Sequence, residues 1–251
     1  MIVTITAYKR PALLQRCLES VACAASPGRP FSVLVSLDWY SKEMTERMSD
    51  AVIASGLTGV QIVRHGSRAG VANHPRWVLN TVVRMGHRRV IALEEDTIVA
   101  PDAFVFADWA LDQREFQFVN LADHKRKQVA HHTATMRVHE DWELRSPYGW
   151  AFTAGFWHAL EPEWNGKIRL PYGWDWQLSH LCYREGWRSL TPEVARVYNT
   201  GREEGTYDTP DNWDRTQKDV RLCDEIPGRY EIVRAGERPD PPDWVKEEMR
   251  P

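Results

Sequence analysis

The chain has 251 residues, with 32 Lys and Arg against 35 Asp and Glu, which gives a formal net charge of −3. That length accommodates one large domain or two small ones, and it buries enough surface for a core that needs no disulfide or metal support. A hydrophobic fraction of 43% and a charged fraction of 27% are ordinary for a globular protein. They exclude a disordered, collagen-like or coiled-coil chain.

The N-terminal segment and the cysteines indicate the cellular compartment. No apolar run reaches the ~18–20 residues that span a bilayer, and the segment MIVTITAYKRP lacks the parts of a signal peptide. The four cysteines are sparse and follow no spacing pattern, which favours free thiols, Cys17 and Cys23 included, packed in a core. We therefore expect a cytoplasmic protein without a membrane partner.

The first hundred residues alternate predicted strands and helices. The predicted strands are 1–7, 31–37, 60–64 and 88–93, and the predicted helices begin at Pro11 and cover about 42–55 and 73–85. Helical spacing places Ile53, Trp77 and Met85 on the buried faces. This order is typical of an open, mostly parallel α/β sheet with helices on both faces.

After Pro101 the pattern becomes less regular. The predicted elements are a helix at 101–112, a strand at 117–122, a polar stretch at 123–147, an aromatic segment at 147–157, a helix at 174–186 and a loop with one short helix at 199–219. A Pro-rich tail follows at 236–251. We expect the second half to continue the sheet of the first half and to add a lobe on the substrate side.

Three acidic residues directly follow the predicted strand 88–93. Glu94, Glu95 and Asp96 would stand at the carboxyl end of a strand, where ligands of open α/β sheets collect. Three neighbouring carboxylates repel one another, and Mg²⁺ or Mn²⁺ held by one or two of them leaves room for substrate phosphates. The other interpretation is a solvated acidic turn.

The segment RVIALEEDTIVAPDAF (89–104) resembles the metal-binding acidic motif of GT-A glycosyltransferases. It is most similar to the N-acetylglucosaminyltransferase I family, in which a strand ends in Glu-Asp-Asp and continues into Pro-Asp-Phe-Phe. Further segments resemble that family in the same order: TAYKRPALLQRCLESV (6–21), VLVSLD (33–38), NHPRWVL (73–79), YGWAFTAGFWHALEPEW (148–164), GWDWQL (173–178) and TGREEGT (200–206). The resemblance covers roughly residues 1–207 and implies a GT-A fold.

The resemblance also implies roles for single residues. It implies that Asp96 binds the metal, and that the following residues contact the nucleotide sugar: Arg10, Asp38 at the uracil ring, His74, Glu95 and Thr206. It implies residues 1–122 as the nucleotide-sugar-binding half and 123–235 as the acceptor and catalytic half of one domain. This chain has Glu95 where the family usually has Asp, which places its carboxylate one methylene further out.

The position of Asp175 in the family order implies that it is the catalytic base. With Mn²⁺ or Mg²⁺ on the diphosphate of UDP-GlcNAc or UDP-glucose, one carboxylate must take the proton of the acceptor hydroxyl. Burial between Trp174 and Trp176 would raise the pKa of Asp175. Attack assisted by a single base inverts the anomeric carbon. The alternative is an acid that complements the dipole of its helix.

The acceptor is open at this stage. A glycan or a small-molecule hydroxyl is one possibility. The basic run His124–Lys127 leaves a second acceptor open, a hydroxymethylated base in DNA. The net charge of −3, however, gives no global attraction to DNA. The aromatic residues of this half would offer stacking faces for a sugar or a base: Trp142, Tyr148, Trp150 and Trp157. A third possibility is a non-catalytic nucleotide-sugar or glycan-binding protein that retains the fold.

Overall fold

The computed structural model describes residues 1–24, 30–123, 135–164, 173–202, 210–217, 220–224 and 226–236. The helices are α1 Pro11–Cys23, α2 Lys42–Ala54, α3 Gly70–Arg84, α4 Ala103–Leu111, α5 Ala154–Leu160, α6 Trp174–Glu185 and α7 Pro210–Gln217. The strands are β1 Ile2–Ala7, β2 Ser32–Leu37, β3 Val60–Arg64, β4 Arg89–Glu94, β5 Thr97–Val99, β6 Phe118–Asn120, β7 Thr135–Asp141, β8 Gly149–Thr153, β9 Ser189–Pro192, β10 Val197–Asn199 and β11 Arg229–Val233. None of the described helices combines the length and the apolar character that crossing a membrane requires.

Nine strands form one mixed sheet in the order β11-β7-β9-β6-β8-β4-β1-β2-β3. The four strands β4-β1-β2-β3 are parallel, and β8 continues the sheet antiparallel to β4. The sheet therefore runs through both halves of the chain, and the expected α/β class with a mostly parallel sheet is confirmed. In the parallel part, Thr6 pairs with Glu94 and Ala7 with Leu37, so the carboxyl ends of β4, β1 and β2 lie side by side.

Two apolar layers hold this sheet. Side chains of β1 and β2 alternate between the faces, so Val3 and Ile5 pack with α1, α2 and α4, whereas Ile2 and Leu34 pack with α3, α5 and α6. The strands β1, β2 and β4 are buried over most of their length because both faces are covered. The positions at their carboxyl ends are thereby fixed.

Four side chains differ from the sequence-based expectation. Ile53, Trp77 and Met85 are 75%, 43% and 54% exposed, although their spacing predicted burial. Ile53 and Trp77 are not among the buried positions of α2 and α3, where Met48 and Val78 pack towards the sheet, and Met85 follows the end of α3. Cys17 is buried as expected, but Cys23 at the end of α1 is exposed.

The small second sheet pairs β5 with β10 antiparallel, and the paired residues are 98 to 102 positions apart in the chain. A fully buried ion pair anchors it, since Arg196 Nη2 lies 2.9 Å from the Asp102 carboxylate at the start of α4. The Tyr230 hydroxyl donates to the same oxygen of Asp102, at 2.9 Å. This pairing of β5 with β10 places the residues after Asn199 beside the end of β4.

Candidate active site

The acidic residues after β4 are bound by one buried arginine. Arg10 Nε donates to Glu95 Oε1 and Arg10 Nη1 donates to Asp96 Oδ2, both at 2.8 Å. Arg10 lies between the end of β1 and Pro11, the first residue of α1. Proline disfavours helical backbone in the residue before it, which keeps Arg10 outside the helix. These ion pairs thus connect the end of β1 with the end of β4.

Burial and charge act in opposite directions on these groups. Burial lowers the pKa of Arg10, but Glu95 and Asp96 outweigh that effect and the net pKa is raised, so the guanidinium stays charged. Burial raises the pKa of Glu95, which Arg10 opposes and Asp96 reinforces. The Glu95 carboxylate also accepts a hydrogen bond from the Tyr8 backbone N–H at 3.1 Å. Glu95 therefore ties the turn after β1 to the end of β4.

The two carboxylate oxygens of Asp96 differ. Oδ2 is paired with Arg10, whereas Oδ1 is buried and has no hydrogen-bond partner among the residues that the structure describes. A buried, unpartnered carboxylate oxygen is costly, and a bound cation is one group that can complete its coordination. Among the described residues no three His, Cys, Asp or Glu side chains are grouped to hold a metal. Mg²⁺ and Mn²⁺ bound with substrate phosphates need only one or two carboxylates, so Asp96 fits that kind of site.

A turn from the far end of the chain covers Asp96. The Thr200 backbone N–H and hydroxyl donate to the Asp96 carbonyl oxygen at 2.7 and 2.9 Å. At the next position, Gly201, an added Cβ would overlap Asp96 Oδ2 and lie 3.2 Å from Arg10 Nη1. The sequence analysis singled out this segment through Thr206, which lies outside the described residues, and it missed Thr200 and Gly201. The sequence signal for this turn is the Thr-Gly pair that directly follows the short strand β10.

Asp38 has a different set of contacts. Its carboxylate accepts the backbone N–H groups of Trp39, Ala69 and Gly70 at 2.9, 2.7 and 2.9 Å. The last two open α3, whose first amides have no partner within the helix. This remote cap starts α3 at Gly70 rather than at the predicted residue 73. Asp38 thus fixes the loop between β3 and α3 at the end of β2.

His74 lies in α3 beside this loop and is buried. Its Nε2 is 2.8 Å from the Ser36 hydroxyl, which is also 3.1 Å from Nε2 of His65. A hydroxyl has one proton, so Ser36 donates to one imidazole and accepts from the other. Burial lowers the pKa of His74 to about 4, with Asp38 opposing that shift and His65 reinforcing it. His74 is therefore neutral near pH 7.

Asp175 lies in the first turn of α6, across from the end of β4. Burial raises its pKa, and backbone hydrogen bonds at the helix start oppose that shift. Burial, Asp96 and Glu95 raise the pKa of Glu94 to about 8, with Arg10 opposing them and a smaller raising contribution from Asp175. The negative charges of Asp96 and Asp175 therefore both act on the pKa of Glu94. A small cavity between the sheet and α6 is lined by Glu94, Thr6, Pro147, Trp150 and Trp174.

The aromatic residues do not provide the expected stacking faces. Trp142, Tyr148, Trp150 and Trp157 are at most 7% exposed. Tyr148, Trp150 and Trp157 pack in the two apolar layers, and Trp142 packs with Tyr183. Of these four, Trp150 lines the cavity. Trp176, next to Asp175, is 40% exposed instead. The basic run His124–Lys127 lies outside the described residues.

The shifted pKa of His74 predicts how stability depends on pH. The unfolded chain takes up a proton on this residue below about pH 6.5, and the folded chain only below about pH 4. The free energy of unfolding therefore falls as the pH decreases from 6.5 to 4, by about 3 kcal/mol from this group. Urea unfolding of His74→Gln should show a weaker loss over that range. His158→Gln, at an exposed position, should follow the original protein. Equal pH dependence in all three would contradict the assignment.

The close approach at Gly201 predicts the effect of a single methyl group. Gly201→Ala should lower the free energy of unfolding by about 1–3 kcal/mol, because Asp96 and Arg10 must move to admit Cβ. Gly66→Ala is the matched control, since its Cβ meets no atom within 4 Å. We expect Gly66→Ala to unfold within about 0.5 kcal/mol of the original protein. Equal stability of the two variants would show that the turn does not press on Asp96.

Comparison with known proteins identifies the family of this chain. The model of the GNT-I family matches residues 2–225. A curated relative, alpha-1,3-mannosyl-glycoprotein 2-beta-N-acetylglucosaminyltransferase of Arabidopsis thaliana, is 29% identical over 142 residues. That match covers 52% of this chain and 29% of the plant protein.

Solved structures share the fold at low sequence identity. The mannosyltransferase PcManGT of Pyrobaculum calidifontis, in complex with GDP-Man and Mn²⁺, superposes with a TM-score of 0.59 at 17% identity, over 81% of this chain and 58% of that one. Residues 1–349 of TarS of S. aureus, in complex with UDP-GlcNAc, superpose with a TM-score of 0.55 at 13% identity, over 86% and 64%. The expected GT-A architecture is thereby confirmed. With the match over residues 2–225, this chain belongs to the GNT-I family.

Proposed function

We propose that this chain is a metal-dependent, inverting glycosyltransferase that transfers GlcNAc or glucose from a UDP-sugar to a hydroxyl of a glycan or small molecule. One observation carries the proposal. At the carboxyl ends of β1 and β4, Arg10 neutralises one oxygen of Asp96 while the other is buried without a partner. That arrangement suits a divalent cation shared with a diphosphate.

The relatives support the choice of donor. The name of the plant protein specifies transfer of N-acetylglucosamine, and the staphylococcal structure contains UDP-GlcNAc. The archaeal structure contains a different nucleotide sugar, GDP-Man, together with Mn²⁺. Both structures contain a nucleotide sugar, and one of them also contains a divalent cation. The family supports GlcNAc as the sugar. The match covers only 29% of the length of the plant protein, so the activity of that protein is proposed for this chain and not established for it.

On the donor side, the proposed roles belong to Asp96, Glu95 and Arg10. Asp96 would hold the cation through Oδ1, and a cation there supplies Lewis-acid stabilisation of the negative charge on the leaving diphosphate. Arg10 holds Asp96 in place and offsets part of the negative charge of the site. The nucleoside would extend along the ends of β1 and β2 towards Asp38 and His74. With both oxygens bound to backbone amides, Asp38 would act on the base mainly by placing the loop after β3. Thr206 retains its proposed substrate contact from the family resemblance.

On the acceptor side, Asp175 would be the general base. The O–H bond of the acceptor breaks and its proton goes to the Asp175 carboxylate. The acceptor oxygen then bonds to the anomeric carbon, and the bond from that carbon to the diphosphate oxygen breaks with its electrons leaving on UDP. A pKa raised by burial makes Asp175 a better proton acceptor than an exposed aspartate. A single displacement of this kind inverts the anomeric carbon.

Two substitutions separate these roles. Asp175→Asn should bind UDP with Mn²⁺ as well as the original protein, yet lose metal-stimulated UDP-GlcNAc hydrolysis by about 10²-fold or more. Asp96→Ala should lose both the hydrolysis and the Mn²⁺ dependence of UDP binding. Calorimetry measures the binding, and release of UDP measures the hydrolysis.

The control for the helix-dipole alternative is Glu43→Gln, which removes an acid from the first turn of α2. It should leave both readouts unchanged. Normal hydrolysis by Asp175→Asn would contradict the base assignment. If the original protein binds UDP-GlcNAc with Mn²⁺ and neither hydrolyses it nor transfers the sugar to any hydroxyl offered, the chain is a binding protein that retains the fold.

A further inference from the structure

Two tyrosines and two cations form a patch at the ends of β1, β2 and β3, which we name the cationic rim. It consists of Tyr8, Lys9, Tyr40 and Arg68. The Tyr8 and Tyr40 ring centroids lie 5.8 Å apart in an edge-to-face arrangement. The Lys9 ammonium lies 5.4 Å from the Tyr8 centroid and 6.0 Å from that of Tyr40, and the Arg68 guanidinium lies 5.0 Å from the Tyr8 centroid.

The two cations of the rim have no acidic partner in the described part of the chain. Elsewhere in the described part of the chain most buried or half-buried arginines have carboxylates, as Arg10, Arg145 and Arg196 do. Lys9 and Arg68 are exposed and form no ion pair with any residue that the structure describes. The ring of Tyr8 lies beside both of them and holds two positive charges near one another. Such a pair attracts an anion.

The backbone conformation of Lys9 is unusual for a residue with a side chain. Its φ of 56° makes it the one non-glycine residue in the left-handed region among those described. Glycine adopts that region without the steric penalty that a side chain pays. Strained backbone conformations of this kind cluster at active sites and ligand clamps.

The rim lies between the two ends of the proposed donor site. Lys9 immediately precedes Arg10, which binds Asp96, and Tyr8 donates its backbone N–H to Glu95. On the other side, Asp38 binds the amides of Ala69 and Gly70 and so fixes the loop that carries Arg68. A nucleoside diphosphate that reaches from Asp96 to Asp38 must pass the rim.

We infer that the cationic rim binds the diphosphate of the nucleotide donor from its solvent side, with Lys9 and Arg68 as the contacting cations. This inference rests on the proposed function. It assigns to Lys9 and Arg68 a recognition role that Arg10 cannot fill alone, because the charge of Arg10 is taken up by Glu95 and Asp96. The rim selects for the charge of the phosphates, and the nucleoside part is recognised elsewhere.

The test compares UDP with uridine, which lacks the phosphates. Lys9→Gln and Arg68→Gln should each weaken UDP binding in Mn²⁺ by a factor of about two to five, the size of a solvent-exposed charge pair. The double variant should weaken it about ten-fold and make the affinity less dependent on salt. Uridine binding should not change. Lys9→Arg, which keeps the charge, should restore UDP binding, and Lys42→Gln, at an exposed lysine of α2 beside Glu46, is the control.

The outcomes separate the rim from the proposed function. If the original protein binds UDP and the double variant binds it equally well, the rim does not contact the phosphates. If UDP and uridine weaken by the same factor, the rim recognises the base and the inference is wrong. If the original protein binds no nucleotide in Mn²⁺, the proposed function itself fails. A loss confined to UDP, rescued by Lys9→Arg, supports the inference.

Discussion

The ion pairs of Arg10 with Glu95 and Asp96 are the interaction on which the candidate site depends. Three acidic residues stand in a row at the end of β4, Glu94 as its last residue and Glu95 and Asp96 directly after it. Their mutual repulsion at a buried strand end needs a positive charge nearby. Arg10 supplies it from the neighbouring strand, at 2.8 Å from both carboxylates. It pairs with one oxygen of Asp96 only, and the other has no hydrogen-bond partner among the described residues. The same pairing sets the distance between the turn after β1 and the end of β4.

The rest of the structure holds these ends in register. Apolar layers on both faces fix β1, β2 and β4, and polar contacts then tie each strand end to a separate element. Asp38 ties the end of β2 to α3, and Thr200 ties the end of β4 to the turn after β10. The buried pair of Arg196 and Asp102 anchors the short sheet that carries this turn. Rigid strands with polar ends are the arrangement that a pre-organised site requires.

The sequence predicted the features that depend on residues close together in the chain. Continuous apolar runs predicted the parallel strands, and an acidic run after one of them predicted the position of Asp96. Local patterns did not predict the exposure of Trp77 or the burial of Trp142 and Trp157, because packing of distant elements decides both. The contact of Thr200 with Asp96 spans 104 positions, which no spacing pattern encodes. The cap that Asp38 gives to α3 was missed for the same reason.

The most direct measurement is the position of Mn²⁺ in crystals of this protein soaked with UDP and MnCl₂, from the anomalous scattering of the metal. The account predicts one strong peak within coordination distance of Asp96 Oδ1 and of a UDP phosphate oxygen, with Arg10 still paired to Oδ2. UDP bound at the ends of β1 and β2 with the metal peak away from Asp96, or with no peak, would contradict it.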